Sequence, residues 1–163
     1  MIELYHGSNA IVEKPLVNVG RKELDFGPGF YLTRHKEQAE RWAKRVCTIR
    51  RAKTPYLSTF IFDDDRLPHD CLIKILPDYD NDWLDFIVAS RTGQKPWLNY
   101  DIIEGGVAND QVIDTVEDYF SGRITSEQAI GQLKFAHPSH QICIRRQNIV
   151  DNFLHYQGTV IVK

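Results

Sequence analysis

The spacing of apolar residues predicts helices and strands interleaved along the chain. Within residues 35–50, apolar side chains recur at the i, i+3, i+4, i+7 spacing of one face of an amphipathic helix: Ala39, Trp42, Ala43 and Val46. Residues 56–62 alternate instead and are rich in aromatic and β-branched side chains, which is typical of a strand. The remaining predicted strands are near 2–5 and 30–33, at 100–104, at 140–145 and at 159–163, with an extended stretch at 71–76. The remaining predicted helices are at 82–92, near 109–121 and from 125.

Capping residues indicate where several of these elements begin and end. Thr33 precedes the first helix as an N-cap, and Asp82 can cap the helix that Gly93 follows. Thr125 and Gln128 have the spacing of a capping box. Strands interleaved with helices, without the regular spacing of βαβ units, predict an α+β fold.

The length, charge and cysteine content of the chain limit its possible domain organisation, partners and location. With 163 residues and no linker or repeat, we expect a single domain over residues 1–163. A net charge of −2 implies no general polyanion-binding surface. Three widely spaced cysteines without a C-x-x-C motif predict a reducing, cytoplasmic location. No apolar run approaches the roughly 20 residues of a membrane span, so we expect no membrane partner.

Two short stretches carry the candidate chemistry. In the first, Tyr5-His6-Gly7-Ser8, a predicted strand runs into a glycine turn with a histidine beside it. In the second, a Gly-Pro-Gly turn opens the short apolar strand that holds Tyr31. Glycine lets the backbone approach a ligand closely because it has no Cβ. A histidine and a tyrosine placed in this way can line one small-molecule site.

These stretches resemble the signature of the diphtheria-toxin-like ADP-ribosyltransferases, the superfamily that includes the poly(ADP-ribose) polymerases. Those proteins combine a His-Gly-Ser or His-Gly-Thr with a Phe-Gly-x-Gly-(apolar)-Tyr strand and a glutamate on a later strand. A closer resemblance, over nearly the whole chain, is to a bacterial domain family of unassigned function grouped with these transferases. It rests on Tyr-His-Gly-Ser, Asp25-Phe-Gly-x-Gly-Phe-Tyr-Leu-Thr, Gln38-Ala-x-x-Trp-Ala, Asp82-Trp-x-x-Phe and Tyr100-Asp-Ile-Ile. The resemblance implies a split, mixed β-sheet flanked by helices.

The resemblance also implies roles in binding NAD as a substrate. Gly7 would clasp the nicotinamide carboxamide through its backbone, and His6 and Ser8 would bind ribose hydroxyls. Tyr31, which follows Gly29 of the second motif, would pack on the nicotinamide ring. The polymerases place a second stacking tyrosine eleven residues later, which corresponds to Trp42 in this chain. The alternative for Trp42 is a core residue, since it lies on the apolar stripe of its helix.

Gln141 is the best match to the third member of the triad, where the transferases have a glutamate. A glutamine can hydrogen-bond a ribose hydroxyl, but it supplies no negative charge and cannot act as a base. This departure favours the transfer of a single ADP-ribose, or a site that binds NAD without reacting. We expect the side chains of His6, Tyr31 and Gln141 to converge on one site.

Other polar residues have structural explanations beside chemical ones. Asp101 can replace the missing glutamate as a base, or it can satisfy backbone donors at a strand end. Asp110 is expected to cap its helix. His137 and His140 suggest a metal site, but no cysteine or carboxylate completes the set, so no metal is expected.

The leading functional hypothesis is an NAD-dependent mono-ADP-ribosyltransferase that modifies a macromolecule, protein or nucleic acid. From the resemblance, such an enzyme can be a bacterial toxin or defence effector with a small neutralising protein partner. Two alternatives stay open: a catalytically silent NAD-site module, which Gln141 favours, and an NAD glycohydrolase with water as the acceptor.

Overall fold

The computed structural model of the chain describes residues 1–20, 25–109, 112–136 and 139–163. In this part of the chain the strands are β1 Ile2–Ser8, β2 Phe30–Leu32, β3 Tyr56–Phe62, β4 Ile73–Leu76, β5 Ile102–Gly106, β6 His140–Ile144 and β7 Leu154–Ile161. The helices are α1 Lys36–Arg50, α2 Asn81–Arg91, α3 Ile113–Phe120, α4 Ser126–Leu133 and α5 Gln147–Phe153. None of the helices described is long and apolar enough to cross a membrane.

The strands form two sheets flanked by helices, which agrees with the predicted α+β fold. The first sheet has the order β1-β3-β7 and is antiparallel throughout. The second has the order β2-β6-β5-β4, in which only β4 and β5 run parallel. Among the described residues, one antiparallel bridge joins the sheets, where Tyr5 and Thr33 exchange backbone hydrogen bonds of 2.8 and 3.0 Å. Paired residues of neighbouring strands place their side chains on the same face.

Apolar side chains fill the space between the two sheets. Leu4 and Phe60 of the first sheet pack with Phe30, Leu32 and Ile142 of the second, and all five are buried. We call the face of each sheet that points into this space the inner face, and the opposite one the outer face. Because strand side chains alternate, Tyr31 and Cys143 lie on the outer face of the second sheet.

Helices cover both outer faces. Ala39 and Ala43 of α1 pack with Leu57 on the first sheet. Helices α2, α3 and α4 bury a larger cluster against the second sheet, and the indole of Trp83 donates a hydrogen bond of 2.9 Å to the Gly106 carbonyl inside it. Helix α1 therefore covers the outer face of the first sheet and the three-helix layer that of the second. The β2–β6 pair lies at the edge of the second sheet where the bridge joins it to the first. From here on, the outer face means that of the second sheet.

Several predicted boundaries differ from the structure. Asp80, and not Asp82, caps α2 by accepting a hydrogen bond of 3.0 Å from the Trp83 backbone. Strand β5 extends past its predicted end at residue 104 and includes Gly105 and Gly106. A Cβ at Gly105 would lie 2.7 Å from the Leu76 carbonyl oxygen, so this glycine lets β4 approach closely. The capping box of Thr125 and Gln128 is confirmed.

The start of α1 and the start of the last strand also differ from the prediction. The N-cap of α1 is His35, and Thr33 supports it by accepting a hydrogen bond of 3.2 Å from the His35 backbone. Helix α5 was not predicted, and β7 starts five residues before the predicted strand at 159. Asp110, predicted to cap α3, lies outside the described residues.

Candidate functional site

Tyr31 and Gln141 lie on the outer face of two neighbouring strands. Tyr31 pairs with Cys143, and Gln141 lies two residues before Cys143 on the same face of β6. The register partner of Gln141 on the other side is Gly105, which has no side chain to cover it. Gln141 is half-buried, and its side-chain carboxamide neither donates a hydrogen bond to a described residue nor accepts one from it. Its hydrogen-bonding capacity is therefore available to a ligand.

The Tyr31 ring is fixed in place by the glycine turn that precedes it. Its hydroxyl donates a hydrogen bond of 2.5 Å to the Gly27 carbonyl, and burial raises the pKa of this hydroxyl far above its usual range. Gly27 has a φ of +76°, and a Cβ there would lie 2.3 Å from the Trp97 ring. Only glycine meets both conditions, so this turn and Trp97 together set the orientation of the tyrosine.

Arg145 also holds this glycine turn in place. Its guanidinium lies 4.4 Å from the centroid of the Trp97 ring and donates to the Pro28 carbonyl at 3.1 Å and the Tyr100 carbonyl at 3.1 Å. Burial lowers the pKa of Arg145, and backbone carbonyls and an indole face stabilise the cation in this environment. Arg145 thus supports the position of Tyr31 indirectly.

His6 lies on the inner side of β2 and does not share the face of Tyr31 and Gln141. Its ring packs on that of Phe30, with centroids 4.5 Å apart, and Phe30 points away from Tyr31 by strand alternation. Its Nδ1 atom lies 2.7 Å from the Tyr31 carbonyl oxygen. Since a carbonyl only accepts, Nδ1 carries the proton, and burial lowers the pKa of the imidazole. His6 thus links β1 to β2 behind the site.

Gly7 and Gly29 are positions of close packing. A Cβ at Gly7 would lie 2.0 Å from the Ala39 carbonyl oxygen, so α1 rests directly on β1 at this point. A Cβ at Gly29 would lie 2.5 Å from the sulfur of Cys143. Ser8 accepts a hydrogen bond of 3.2 Å from the backbone of Ala10. The two glycines allow α1 to approach β1 and the glycine turn to approach β6.

Trp42 lies on the flank of α1 that faces the second sheet. Gln38, one turn earlier on the same flank, binds both backbone groups of His140, donating to its carbonyl at 2.5 Å and accepting from its N–H at 3.0 Å. His140 directly precedes Gln141, so this amide ties α1 to the start of β6. Trp42 itself is 46% exposed. It is not a core residue, and its indole is open to a ligand beside the outer face.

Asp101 lies at the opposite end of β5 from Gly105. Its carboxylate accepts a hydrogen bond of 2.9 Å from the Leu72 backbone and lies 3.6 Å from the Arg146 guanidinium. It lies four positions before Gly105, about 13 Å along a strand. Asp101 therefore joins the start of β5 to the chain before β4 and satisfies a backbone donor at a strand end, the second of the two roles considered for it. It does not reach Gln141.

A cluster that the sequence did not predict lies on the inner side, at the ends of the same strands. Glu104 accepts from His140 Nε2 at 2.8 Å and from the Arg34 guanidinium at 3.0 and 3.2 Å. The Arg34 backbone N–H donates to His140 Nδ1 at 3.3 Å, which places the imidazole proton on Nε2. The hydrogen bond from His140, with that from Arg34, lowers the pKa of Glu104 to about 2.

This cluster borders a groove of about 410 Å³. The groove is lined by His35, Ile75, Asp78, Glu104, Gly105 and His140, among others. It adjoins Gln141 through Gly105, the register partner of Gln141, and through His140, which precedes it, whereas Tyr31, His6 and Trp42 are not part of its lining. The signal in the sequence was a charged residue within an apolar strand, Ile-Ile-Glu, but its partners are far away in sequence. His137, considered with His140 as a metal ligand, lies outside the described residues.

Comparison with known proteins assigns the chain to a family. Searches of curated proteins and of solved structures found no match. A family model described as a protein of unknown function, DUF3990, matches residues 2–156. The match runs from the start of β1 into β7 and so includes Tyr31, Trp42 and Gln141. The chain belongs to the DUF3990 family.

Proposed function

We propose that the chain is an NAD-dependent mono-ADP-ribosyltransferase that modifies a macromolecule, with the split mixed sheet of that superfamily as its core. The observation that carries the proposal is the pairing of a fixed tyrosine ring with a carboxamide that has no protein partner in the described structure, Tyr31 and Gln141, on one face of β2 and β6. An aromatic face binds a nicotinamide ring, and an amide binds ribose hydroxyls. Both are needed to hold the reacting end of NAD.

The surrounding residues support this arrangement. Trp42 is exposed on the flank of α1 beside the same face and supplies a second ring. His6 acts as a positioning residue, because its hydrogen bond to the Tyr31 carbonyl holds the first two strands together. The Gly27 carbonyl fixes the Tyr31 hydroxyl, so the ring is presented in one orientation. A site organised before the ligand arrives loses less entropy on binding.

The reaction breaks the C–N bond between nicotinamide and ribose, and nicotinamide leaves with the electron pair. The positive charge that develops on the anomeric carbon needs stabilisation, as in glycoside hydrolysis. Gln141 orients the ribose but provides only the dipole of its amide oxygen. The acceptor nucleophile then bonds to the anomeric carbon and releases its proton to solvent. We expect slow transfer of a single ADP-ribose rather than chain elongation.

Incubation with NAD labelled on the adenine side tests this proposal. A cell lysate supplies acceptors, and the parent is compared with Gln141→Ala and with Gln157→Ala, a matched change at an exposed strand position. We expect label on a macromolecule with the parent and the control, and at least about fivefold less with Gln141→Ala. Free ADP-ribose alone would support a glycohydrolase instead, and unchanged NAD would support a silent binding module.

A further inference from the structure

One segment of the chain carries a local excess of positive charge. Residues 41–53 contain six lysines and arginines and no acidic residue, although the chain as a whole has 22 acidic and 20 basic residues. The other 150 residues therefore hold all 22 acidic side chains and only 14 basic ones. A local excess of this size on an acidic protein creates a distinct positive field at the surface.

These cations lie on the solvent side of α1 and just beyond its end. Ala39, Ala43 and Cys47 bury the opposite side of the helix. We define the basic ridge as five exposed residues of this segment: Arg41, Lys44, Arg45, Arg51 and Lys53. Arg41 lies 4.0 Å from Glu37 in the first turns of the helix, where the acidic residues of α1 are found. From Arg41 to Arg50 the helix rises about 14 Å.

Exposed apolar side chains flank the ridge on the side of the outer face. Trp42 is 46% exposed and Ile49 is 54% exposed, and the Arg45 guanidinium lies 5.9 Å from the centroid of the Trp42 ring. A row of cations beside an exposed indole suits a flexible polyanion with unstacked bases. A bilayer suits it less, since the apolar face that would enter the membrane is packed on the first sheet.

We propose that the basic ridge binds single-stranded nucleic acid and delivers it to the outer face, which makes nucleic acid the class of acceptor. This assignment of the acceptor rests on the proposed transferase function, but the docking surface stands on the charge and geometry of α1 alone. Phosphates pair with the ridge cations, and a base next to Trp42 lies beside the Tyr31–Gln141 pair. An acidic protein would match the charge but would make no use of the exposed indole.

Binding of fluorescein-labelled single strands of 12 nucleotides, DNA and RNA in separate titrations, tests the ridge by anisotropy. The test variant is Arg41→Gln/Lys44→Gln/Lys53→Gln, which leaves Trp42 and Arg45 in place. The matched control removes three exposed lysines elsewhere, Lys14→Gln/Lys134→Gln/Lys163→Gln. We expect the parent and the control to bind, and the test variant to bind at least tenfold more weakly. The slope of log K against log salt should fall by about 2, since each lost contact contributes about 0.7.

The outcomes separate the two proposals. Equal loss of affinity in the control and test variants would overturn the ridge as a specific surface, and so would binding to anionic vesicles without binding to either oligonucleotide. Oligonucleotide binding without transfer of label from NAD would refute the transferase and leave the docking surface intact. Label on protein rather than on the oligonucleotide, with both present, would overturn nucleic acid as the acceptor.

Discussion

The two faces of the β2–β6–β5 strands use their polar side chains in opposite ways. On the inner side, Arg34, Glu104 and His140 satisfy one another, with three hydrogen bonds to the single carboxylate. On the outer side, the amide of Gln141 has no partner among the described residues and faces Gly105. A saturated network stabilises the strand ends, whereas a half-buried group with unused capacity costs free energy until a ligand binds. The difference identifies the outer face as the candidate site.

Tyr31→Ala should have the largest effect on function. It removes the half-buried ring and the hydrogen bond to Gly27, so we expect at least a hundredfold loss in kcat/KM for NAD and destabilisation of about 2 kcal/mol. Tyr31→Phe keeps the ring and should retain most of the activity. Kinetics and chemical denaturation of both variants check this prediction. Equal losses in the two variants would show that the hydroxyl, rather than the stacking ring, is what matters.

Gln141→Ala should separate function from stability. Loss of the ribose hydrogen bond should cost roughly 1–3 kcal/mol of transition-state stabilisation, or about 5- to 150-fold in kcat/KM. The free energy of unfolding should change by less than about 0.5 kcal/mol, because no hydrogen bond within the described structure is lost. Gln141→Glu should raise turnover by adding charge near the oxocarbenium. Unchanged activity in the alanine variant would remove Gln141 from the site.

Glu104→Gln should show the reverse pattern, with lower stability and transfer within about threefold of the parent. The folded-state pKa of Glu104, about 2, is depressed below the ordinary value of 4.5. Ionised Glu104 therefore stabilises the fold above pH 4.5, and this contribution is lost as the pH falls from about 4.5 to 2. We expect the parent to lose on the order of 2 kcal/mol more than Glu104→Gln over that range. Denaturation at several pH values measures this difference, and identical curves would contradict it.

Asp101→Asn should have the smallest effect. The amide oxygen of asparagine can still accept from the Leu72 backbone, and only the partly exposed ion pair with Arg146 is lost. We expect destabilisation below about 1 kcal/mol and unchanged transfer. The same two assays check it. A strong loss of activity with normal stability would restore Asp101 as a base.

Local sequence patterns predict much of this fold but less of its detail. The 15-residue helix α1 and the alternating strand β3 follow from periodicity alone. Helix α5 has only seven residues, too few for a clear period, and it was missed. The predicted strand ends at residue 104, before Gly105 and Gly106, because their close packing against β4 and Tyr79 is a tertiary property that a local pattern does not reveal.

The sequence likewise predicts some features of the candidate site and not others. Alternation along β6 places Gln141 and Cys143 on one face, but the pairing of Cys143 with Tyr31, which puts Gln141 on the face of the tyrosine, is a long-range contact. The position of His6 depends on the bridge between Tyr5 and Thr33, which no local pattern predicts. The pairing of Glu104 with His140 depends on contacts between residues 36 apart in the sequence. Long-range register therefore sets the limit of what the sequence alone provides.

NMR observation of the Gln141 side-chain amide during titration with NAD tests the central claim most directly. Loss of one pair of NH₂ signals in Gln141→Ala assigns them, and Gln157→Ala assigns an exposed reference in the same way. We predict that NAD shifts the Gln141 signals in a saturable manner and leaves those of Gln157 in place. Gln141 signals that do not move at saturating NAD, or that move no more than those of Gln157, would contradict the outer face as the NAD site.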